Sequence, residues 1–116
     1  MTRAAAIRNC ARATPPLREQ TWLVQAAVAH VTGVALSDLC ASTRRPPRAA
    51  FARQIAMYLS HVVFHMRLCD VARAFDRDRS TVVHAFRRIE ELREDPEFDR
   101  TLAWLEAMLR RTAREA

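Results

Sequence analysis

The residues best suited to chemistry lie together in residues 77–84, which read RDRSTVVH. This stretch begins with five consecutive charged or hydroxyl side chains: Arg77, Asp78, Arg79, Ser80 and Thr81. An arginine can donate two hydrogen bonds to guanine, a hydroxyl can donate or accept one, and a threonine methyl can pack on the methyl group of thymine. The segment therefore carries the groups needed to read base edges in DNA. No paired carboxylates or nucleophile–base arrangement stands out, so we do not expect an enzyme.

These side chains fall at the front of a helix predicted to run from Asp78 to about Leu92. Asp78 suits the N-cap position, because its carboxylate can accept a hydrogen bond and favours the positive end of the helix dipole. The expected buried face is Val82, Val83, Phe86 and Ile89. A shorter helix is predicted over 68–75, with residues 76–78 as a tight connection. Two short helices whose second exposes polar residues at its start are typical of a helix-turn-helix, in which that second helix enters the major groove.

The rest of the chain predicts helices and no strands, because it holds one glycine, Gly33, and no alternating β-branched runs. A first helix should start at Pro15 and end before Gly33, a short one should be capped by Ser37, a long one should span about 48–66, and a last one should start at Asp95–Pro96. The expected buried positions are Leu23, Ala27 and Val31 in the first helix, Phe51, Ile55, Leu59 and Val62 in the long one, Leu68, Val71, Ala72 and Phe75 in 68–75, and Phe98, Leu102, Leu105 and Leu109 in the last. We expect an all-α fold of about six helices, a compact single domain with a central helix-turn-helix.

Charge is concentrated in the middle of the chain. The formal net charge is +2 for residues 1–42, +7 for 43–88 and −3 for 89–116, and every basic residue other than histidine is arginine. A basic segment of this kind is an electrostatic footprint for nucleic acid. Part of it is the loop STRRPPR, residues 42–48, in which two prolines favour an extended path. Its three arginines are expected to face solvent: Arg44, Arg45 and Arg48.

Two blocks with a matching separation, RQIAMYL at 53–59 and AFDRDRSTVVHAFRRI at 74–89, closely resemble the C-terminal DNA-binding domain of DnaA, the bacterial chromosomal replication initiator. LSDLCASTRR, residues 36–45, is similar to the short helix and basic loop of that domain. The resemblance covers about residues 20–110. It implies a helix-turn-helix domain that binds double-stranded DNA.

The resemblance also implies roles for individual residues. Arg45 sits where the family inserts an arginine into the minor groove, with Arg44 and Arg48 in the same basic loop. Arg53 and Gln54 match a pair that contacts phosphates. Residues 77–81 match the base-contacting segment, and His84 matches a histidine that holds the DNA backbone.

This sequence departs from the family pattern at three positions close to the reading segment. Asp76 replaces a glycine of the turn, Arg79 replaces the signature histidine, and Ser80 replaces a threonine. The family's recognition box is therefore not carried over as the target. ATP binding is not carried over either, because the chain has no GxxxxGK[ST] motif.

We therefore expect a flexible tail over 1–16 and a free-standing DNA-binding domain over 17–112. Its function would be sequence-specific binding of double-stranded DNA that regulates replication initiation or transcription, with the initiator as a competitor or partner. The alternative is a protein-interaction module, on the same helical scaffold, that has lost DNA reading. We expect a cytoplasmic, nucleoid-associated monomer or weak dimer with no membrane span.

No cofactor or metal is expected. His61, His65 and Cys69 recur at four-residue spacing, but no fourth ligand is evident, which favours ordinary core or surface roles. The three cysteines are scattered and form no CxxC pair, which favours reduced thiols over a disulfide framework.

Overall fold

The computed structural model describes residues 15–40 and 47–115, with side chains from residue 19 onwards. These residues form six helices and no strand, which confirms the predicted all-α fold. The helices are α1 (Pro15–Thr32), α2 (Leu36–Leu39), α3 (Pro47–Phe64), α4 (Leu68–Ala74), α5 (Arg79–Leu92) and α6 (Pro96–Glu115). The predicted tail lies outside the described residues up to residue 14, whereas residues 15 and 16 belong to α1. No described helix is long and apolar enough to cross a membrane.

Helix α3 is the centre of the fold and contacts each of the other described helices. Its sequence is apolar on several sides, so it is enclosed by its neighbours rather than amphipathic at a surface. Ile55 and Leu59 are buried as predicted, whereas Phe51 and Val62 are half-buried against the core. Because α3 supports both α4 and α5, it sets the position of the helix-turn-helix.

Helix α1 buries a different face from the one predicted. Val24 and Val28 are fully buried, Leu23 and Ala27 are half-buried, and Val31 is 39% exposed, so the prediction for Val31 was wrong. This helix is rich in alanine and valine, so two adjacent apolar stripes satisfy the helical period equally well. Packing against α3 and α6, which the sequence does not state, selects one of them.

Helix ends depend on three residues in the left-handed region. Gly33 has φ +74 and its N–H donates to the Ala29 carbonyl oxygen at 2.9 Å, so it ends α1 as predicted. His65 has φ +56, which ends α3 at Phe64 rather than at residue 66. Asp76 has φ +52 in the connection between α4 and α5.

The short helix α2 starts two residues earlier than a cap at Ser37 would place it. Its N-cap is Ala35, and no side chain provides a capping hydrogen bond, so Ser37 lies inside the helix and is not its cap. By contrast, α6 begins as predicted, because Asp95 accepts a hydrogen bond from the Phe98 N–H at 3.2 Å.

A polar network joins α6 to the helix-turn-helix. Arg93, the C-cap of α5, donates to Asp99 Oδ1 at 2.5 Å and pairs with Glu106 Oε1 at 2.7 Å, both on α6. Its Nη1 also donates to the Tyr58 hydroxyl of α3 at 3.2 Å. Burial lowers the pKa of Arg93, but Asp99, Tyr58 and Glu106 outweigh burial and the net pKa is raised. The arginine therefore stays charged and stabilises the junction of three helices.

Candidate nucleic-acid interface

The connection between α4 and α5 is held by its own backbone and by one arginine. The Arg77 N–H donates to the Ala72 carbonyl oxygen at 2.9 Å, and the Phe75 N–H donates to that of Val71 at 3.0 Å. The Arg77 guanidinium donates from Nη1 to the carbonyl oxygens of Phe75 at 3.2 Å and Asp76 at 3.0 Å. Phe75 is buried as predicted. The turn therefore presents α5 at a fixed position.

The buried face of α5 matches the prediction only in part. Val82 and Ile89 are fully buried as expected, but the third fully buried side chain is Ala85. Val83, predicted to face the core, is half-buried and lines the solvent-facing side, so that prediction was wrong. The helical period allows either valine to face inward, and α5 lies close enough to α3 that a small side chain fits at position 85.

Phe86 is half-buried and fills the remaining space between α5 and α3. Its ring lies edge-on to Tyr58, with centroids 5.9 Å apart, and 4.9 Å from the ring of His61. These contacts fix the rotation of α5 about its own axis, and so decide which residues face away from the protein.

The solvent-facing side of α5 forms an open concavity, which we call the recognition face. It is lined by Arg79, Ser80, Val83, His84 and Arg87. Thr81 is also exposed, beside this face rather than within its lining. The face combines cationic, hydroxyl, imidazole and apolar groups at the start of a helix, which is the set of groups that reads base edges in a major groove.

Asp78 occupies the predicted N-cap position of α5. Its carboxylate makes no capping hydrogen bond to the helix, whereas its carbonyl oxygen accepts from the Val82 N–H at 3.2 Å. The predicted position is therefore right, and the predicted cap bond is not formed.

Arg53 is buried on α3 and ties that helix to α2. Its Nε donates to the Leu39 carbonyl oxygen at 3.0 Å, and its Nη2 donates to the Asp38 carbonyl oxygen at 3.1 Å. Burial lowers the pKa of Arg53, and the nearby positive charge of Arg77 lowers it further. The structure thus shows a structural role for Arg53 and places it near the turn before α5. Its predicted phosphate contact stays a prediction.

Residues 41–46, which include Arg44 and Arg45, lie outside the described residues. The described chain on either side ends at Cys40 and resumes at Pro47. Arg53 donates to the carbonyl oxygens of Asp38 and Leu39, so it fixes the end at Cys40. On the second side, Arg48 is exposed in the first turn of α3 and donates from Nη2 to the Thr32 carbonyl oxygen at 3.2 Å.

Gln54 is half-buried on the side of α3 that faces α5. Its Oε1 accepts a hydrogen bond from Arg88 Nη1 at 3.1 Å, and the Arg88 guanidinium carbon lies 5.0 Å from the centroid of the Phe51 ring. Arg88 therefore packs against α3. The sequence predicts no difference between Arg87 and Arg88, but in the structure Arg87 lines the recognition face and Arg88 does not.

Sequence reasoning left Val83 and Arg87 out of the predicted contacts. The signal that could have found them is their position three and seven residues after Ser80, which places all three on one helical face.

His61 and His65, considered above as metal ligands, have other surroundings in the structure. The His61 Nδ1–H donates to the Met66 carbonyl oxygen at 2.7 Å, and His65 is exposed after the end of α3.

Comparison with known proteins places this geometry in a family. The model described as the bacterial dnaA protein helix-turn-helix matches residues 22–89. Among curated proteins, the chromosomal replication initiator protein DnaA of Aquifex aeolicus (strain VF5) is 41% identical over 81 residues, which cover 68% of this chain and 20% of that protein. The chain thus spans about a fifth of the length of this relative.

Solved structures agree with this result. A crystal structure of a DNA replication initiation factor superposes with a TM-score of 0.75 and 33% identity, over 83% of this chain and 30% of that one. The replication initiator DnaA bound to AMPPCP and single-stranded DNA superposes with a TM-score of 0.72 and 32% identity, over 82% and 29%. The chain belongs to the family of bacterial DnaA helix-turn-helix domains.

Proposed function

We propose that this protein binds double-stranded DNA in a sequence-specific manner and that residues 17–112 form the binding domain. Helix α5 enters the major groove, and the basic loop with Arg44 and Arg45 enters the neighbouring minor groove. The observation that carries the proposal is the recognition face, which displays hydrogen-bonding side chains on the second helix of a helix-turn-helix.

The first turn of α5 supplies the base contacts in this proposal. Arg79, Ser80 and Thr81 are all exposed there, and their buried neighbour Val82 holds the turn on the protein. Asp78 and Arg77 complete the reading segment from the connection before α5. Because their backbone is fixed before DNA arrives, little ordering is required on binding.

Phosphate contacts flank this segment. His84 lies on the recognition face one turn after Ser80, and Arg53 and Gln54 lie on α3. Such contacts set the orientation of the protein on the duplex and carry no sequence information themselves.

The minor-groove contact is supported by the place where the described chain ends before the basic loop. Arg53 holds the end of α2 from which the loop departs, and the same arginine lies near Arg77 in the turn before α5. The loop therefore departs close to the helix that would lie in the major groove. An arginine is suited to a narrow minor groove, where the negative potential is enhanced.

The process regulated would be replication initiation, through occupation of sites used by the initiator, or transcription at a related sequence. The relatives matched here are replication initiators, which supports the first. The initiator itself would then be a competitor or a partner of this protein.

Titration of a labelled duplex by fluorescence anisotropy tests the proposal. We expect Ser80→Ala and Thr81→Ala to weaken binding to a selected site, about tenfold together, with the fold intact by circular dichroism. Arg111→Ala, an exposed charge on α6, is the control and should change little.

Salt dependence gives a second measurement of the same reaction. With about five or six phosphates neutralised, the plot of log affinity against log salt should have a slope of roughly −5. A flat dependence, or an unchanged affinity in the Ser80 and Thr81 variants, would contradict DNA binding through this surface. The alternative, a protein-interaction module, predicts that these substitutions have no effect on DNA binding.

A further inference from the structure

Helix α5 and its C-cap contain four arginines, and the structure divides them into two pairs. Arg88 is held by Gln54 and by the Phe51 ring, and Arg93 is held by Asp99 and Glu106. The other two, Arg79 and Arg87, are exposed and both line the recognition face. The sequence shows four equivalent cations, whereas only this second pair is directed at the proposed DNA surface.

The two arginines of the recognition face occupy different depths along the helix. Arg79 is the first residue of α5 and Arg87 is the ninth. Eight residues of α-helix separate them by about 12 Å along the axis. Val83 and His84 lie between them on the same face. A single base pair cannot contact both side chains, since neighbouring base pairs are about 3.4 Å apart along the duplex.

We propose that Arg79 reads a guanine and that Arg87 binds a backbone phosphate. This inference rests on the proposed function and assigns a different task to each arginine. Recognition helices of helix-turn-helix proteins contact base edges with their first residues, which is the position of Arg79. Residues two turns further along meet the wall of the groove, where the ligand is a phosphodiester, and this is the position of Arg87.

The two tasks make different chemical demands. Guanine presents the O6 and N7 acceptors together in the major groove, and the planar fork of arginine matches both of them. Lysine has a point charge and cannot reproduce that fork, whereas a phosphate accepts lysine or arginine. Arg79→Lys should therefore lose base discrimination while its charge is kept, and Arg87→Lys should be tolerated.

The reading of guanine can be tested with a selected duplex and the full chain. Replacing each guanine of the site in turn by 7-deazaguanine removes the N7 acceptor and leaves pairing intact. At one position we expect the wild type to lose about tenfold in affinity, and Arg79→Lys to show no further loss there. The assignment would be overturned if the wild type lost affinity for no 7-deazaguanine position. It would also be overturned if Arg79→Lys lost as much affinity as the wild type at the sensitive position.

The phosphate contact is tested by the salt dependence of three variants. Arg87→Ala should reduce the slope of log affinity against log salt by about 1 at every sequence, and Arg87→Lys should not. Arg88→Ala, a neighbour with the same charge, is the matched control and should leave the slope unchanged, because its guanidinium is held by α3.

Equal slopes for Arg87→Ala and Arg88→Ala would overturn the assignment of Arg87. These outcomes differ from a failure of the proposed function, in which the wild type binds no duplex at any salt concentration and both proposals are rejected together.

Discussion

The Tyr58 hydroxyl donates a hydrogen bond of 2.6 Å to Glu90 Oε1, and this bond joins the central helix α3 to the proposed recognition helix α5. The same hydroxyl accepts from Arg93, which pairs with α6. The Tyr58–Glu90 bond and the contact between Tyr58 and Phe86 together set the orientation of α5 against α3. The orientation of the recognition face is thus set by contacts between α5 and α3.

Tyr58 provides a spectroscopic test of this junction, because it is the only tyrosine in the chain. Burial, and then the hydrogen bond with Glu90, raise its pKa to about 12 from an ordinary value near 10. Ultraviolet absorbance at alkaline pH should show one phenolate transition with a midpoint near 12, and a midpoint near 10 in denaturant. A midpoint near 10 in the folded protein would show that the hydroxyl is not held in this way.

The direction of the pH effect on stability follows from the raised pKa. Below about pH 10 the tyrosine holds its proton in both states, so its contribution to stability is fully present. Above that pH the unfolded chain loses the proton first, and the contribution falls until the folded pKa is passed. We expect the free energy of unfolding to decrease between pH 10 and 12 in the wild type, and Tyr58→Phe to lack this component.

Arg53→Ala should destabilise the protein, since it leaves two carbonyl oxygens of α2 without a charged donor. A charge-assisted hydrogen bond contributes about 1.5–3 kcal/mol, so we expect a loss of roughly 3 kcal/mol in chemical denaturation. Arg111→Ala removes an exposed charge and should stay within about 0.5 kcal/mol. If Arg53 acted only on phosphate, its variant would be as stable as the wild type and would differ only in DNA affinity.

Two substitutions of Asp76 test whether this residue holds its left-handed backbone conformation. At φ +52, an L-residue with a Cβ is disfavoured relative to glycine by about 1–2 kcal/mol. Asp76→Gly and Asp76→Ala remove the same carboxylate, so the difference between them isolates the backbone term. We expect the glycine variant to be more stable than the alanine variant by about 1 kcal/mol. Equal stability would mean that the turn does not hold this conformation in solution.

Helix α1 offers a matched pair that tests which face is buried. Val28 is fully buried and Val31 is 39% exposed. Val28→Ala should cost about 2 kcal/mol, because two methylene equivalents are lost and a cavity remains. Val31→Ala should cost less than about 0.5 kcal/mol. If Val31→Ala were the more destabilising of the two, α1 would bury the face expected from the sequence instead.

Much of the fold could be predicted from local signals. Gly33, Pro15 and the Asp95–Pro96 pair mark helix boundaries by backbone chemistry that acts within a few residues, and the structure follows them. Ser37 was misleading, because a residue suited to capping cannot cap a helix whose N-cap lies two residues earlier, at Ala35. The end of α3 could not be predicted either, since histidine at position 65 adopts φ +56 without a sequence signal for it.

The candidate site was predicted in type but not in detail. Arg79, Ser80 and His84 could be placed on one face by spacing alone. Whether Val83 faces in or out, and which of Arg87 and Arg88 faces the same way, depends on how α5 is rotated against α3. That rotation is set by Tyr58, Phe86 and the small side chain of Ala85, which are contacts between segments distant in sequence.

Selection of bound duplexes from a random pool tests the central claim most directly. The pool should include the recognition box of the initiator as a control, and the bound fraction should be sequenced after several rounds. We predict enrichment of one defined motif containing a guanine, and no enrichment when Arg79, Ser80 and Thr81 are replaced together by alanine. Absence of any enriched motif with the folded wild-type protein would contradict sequence-specific binding through α5.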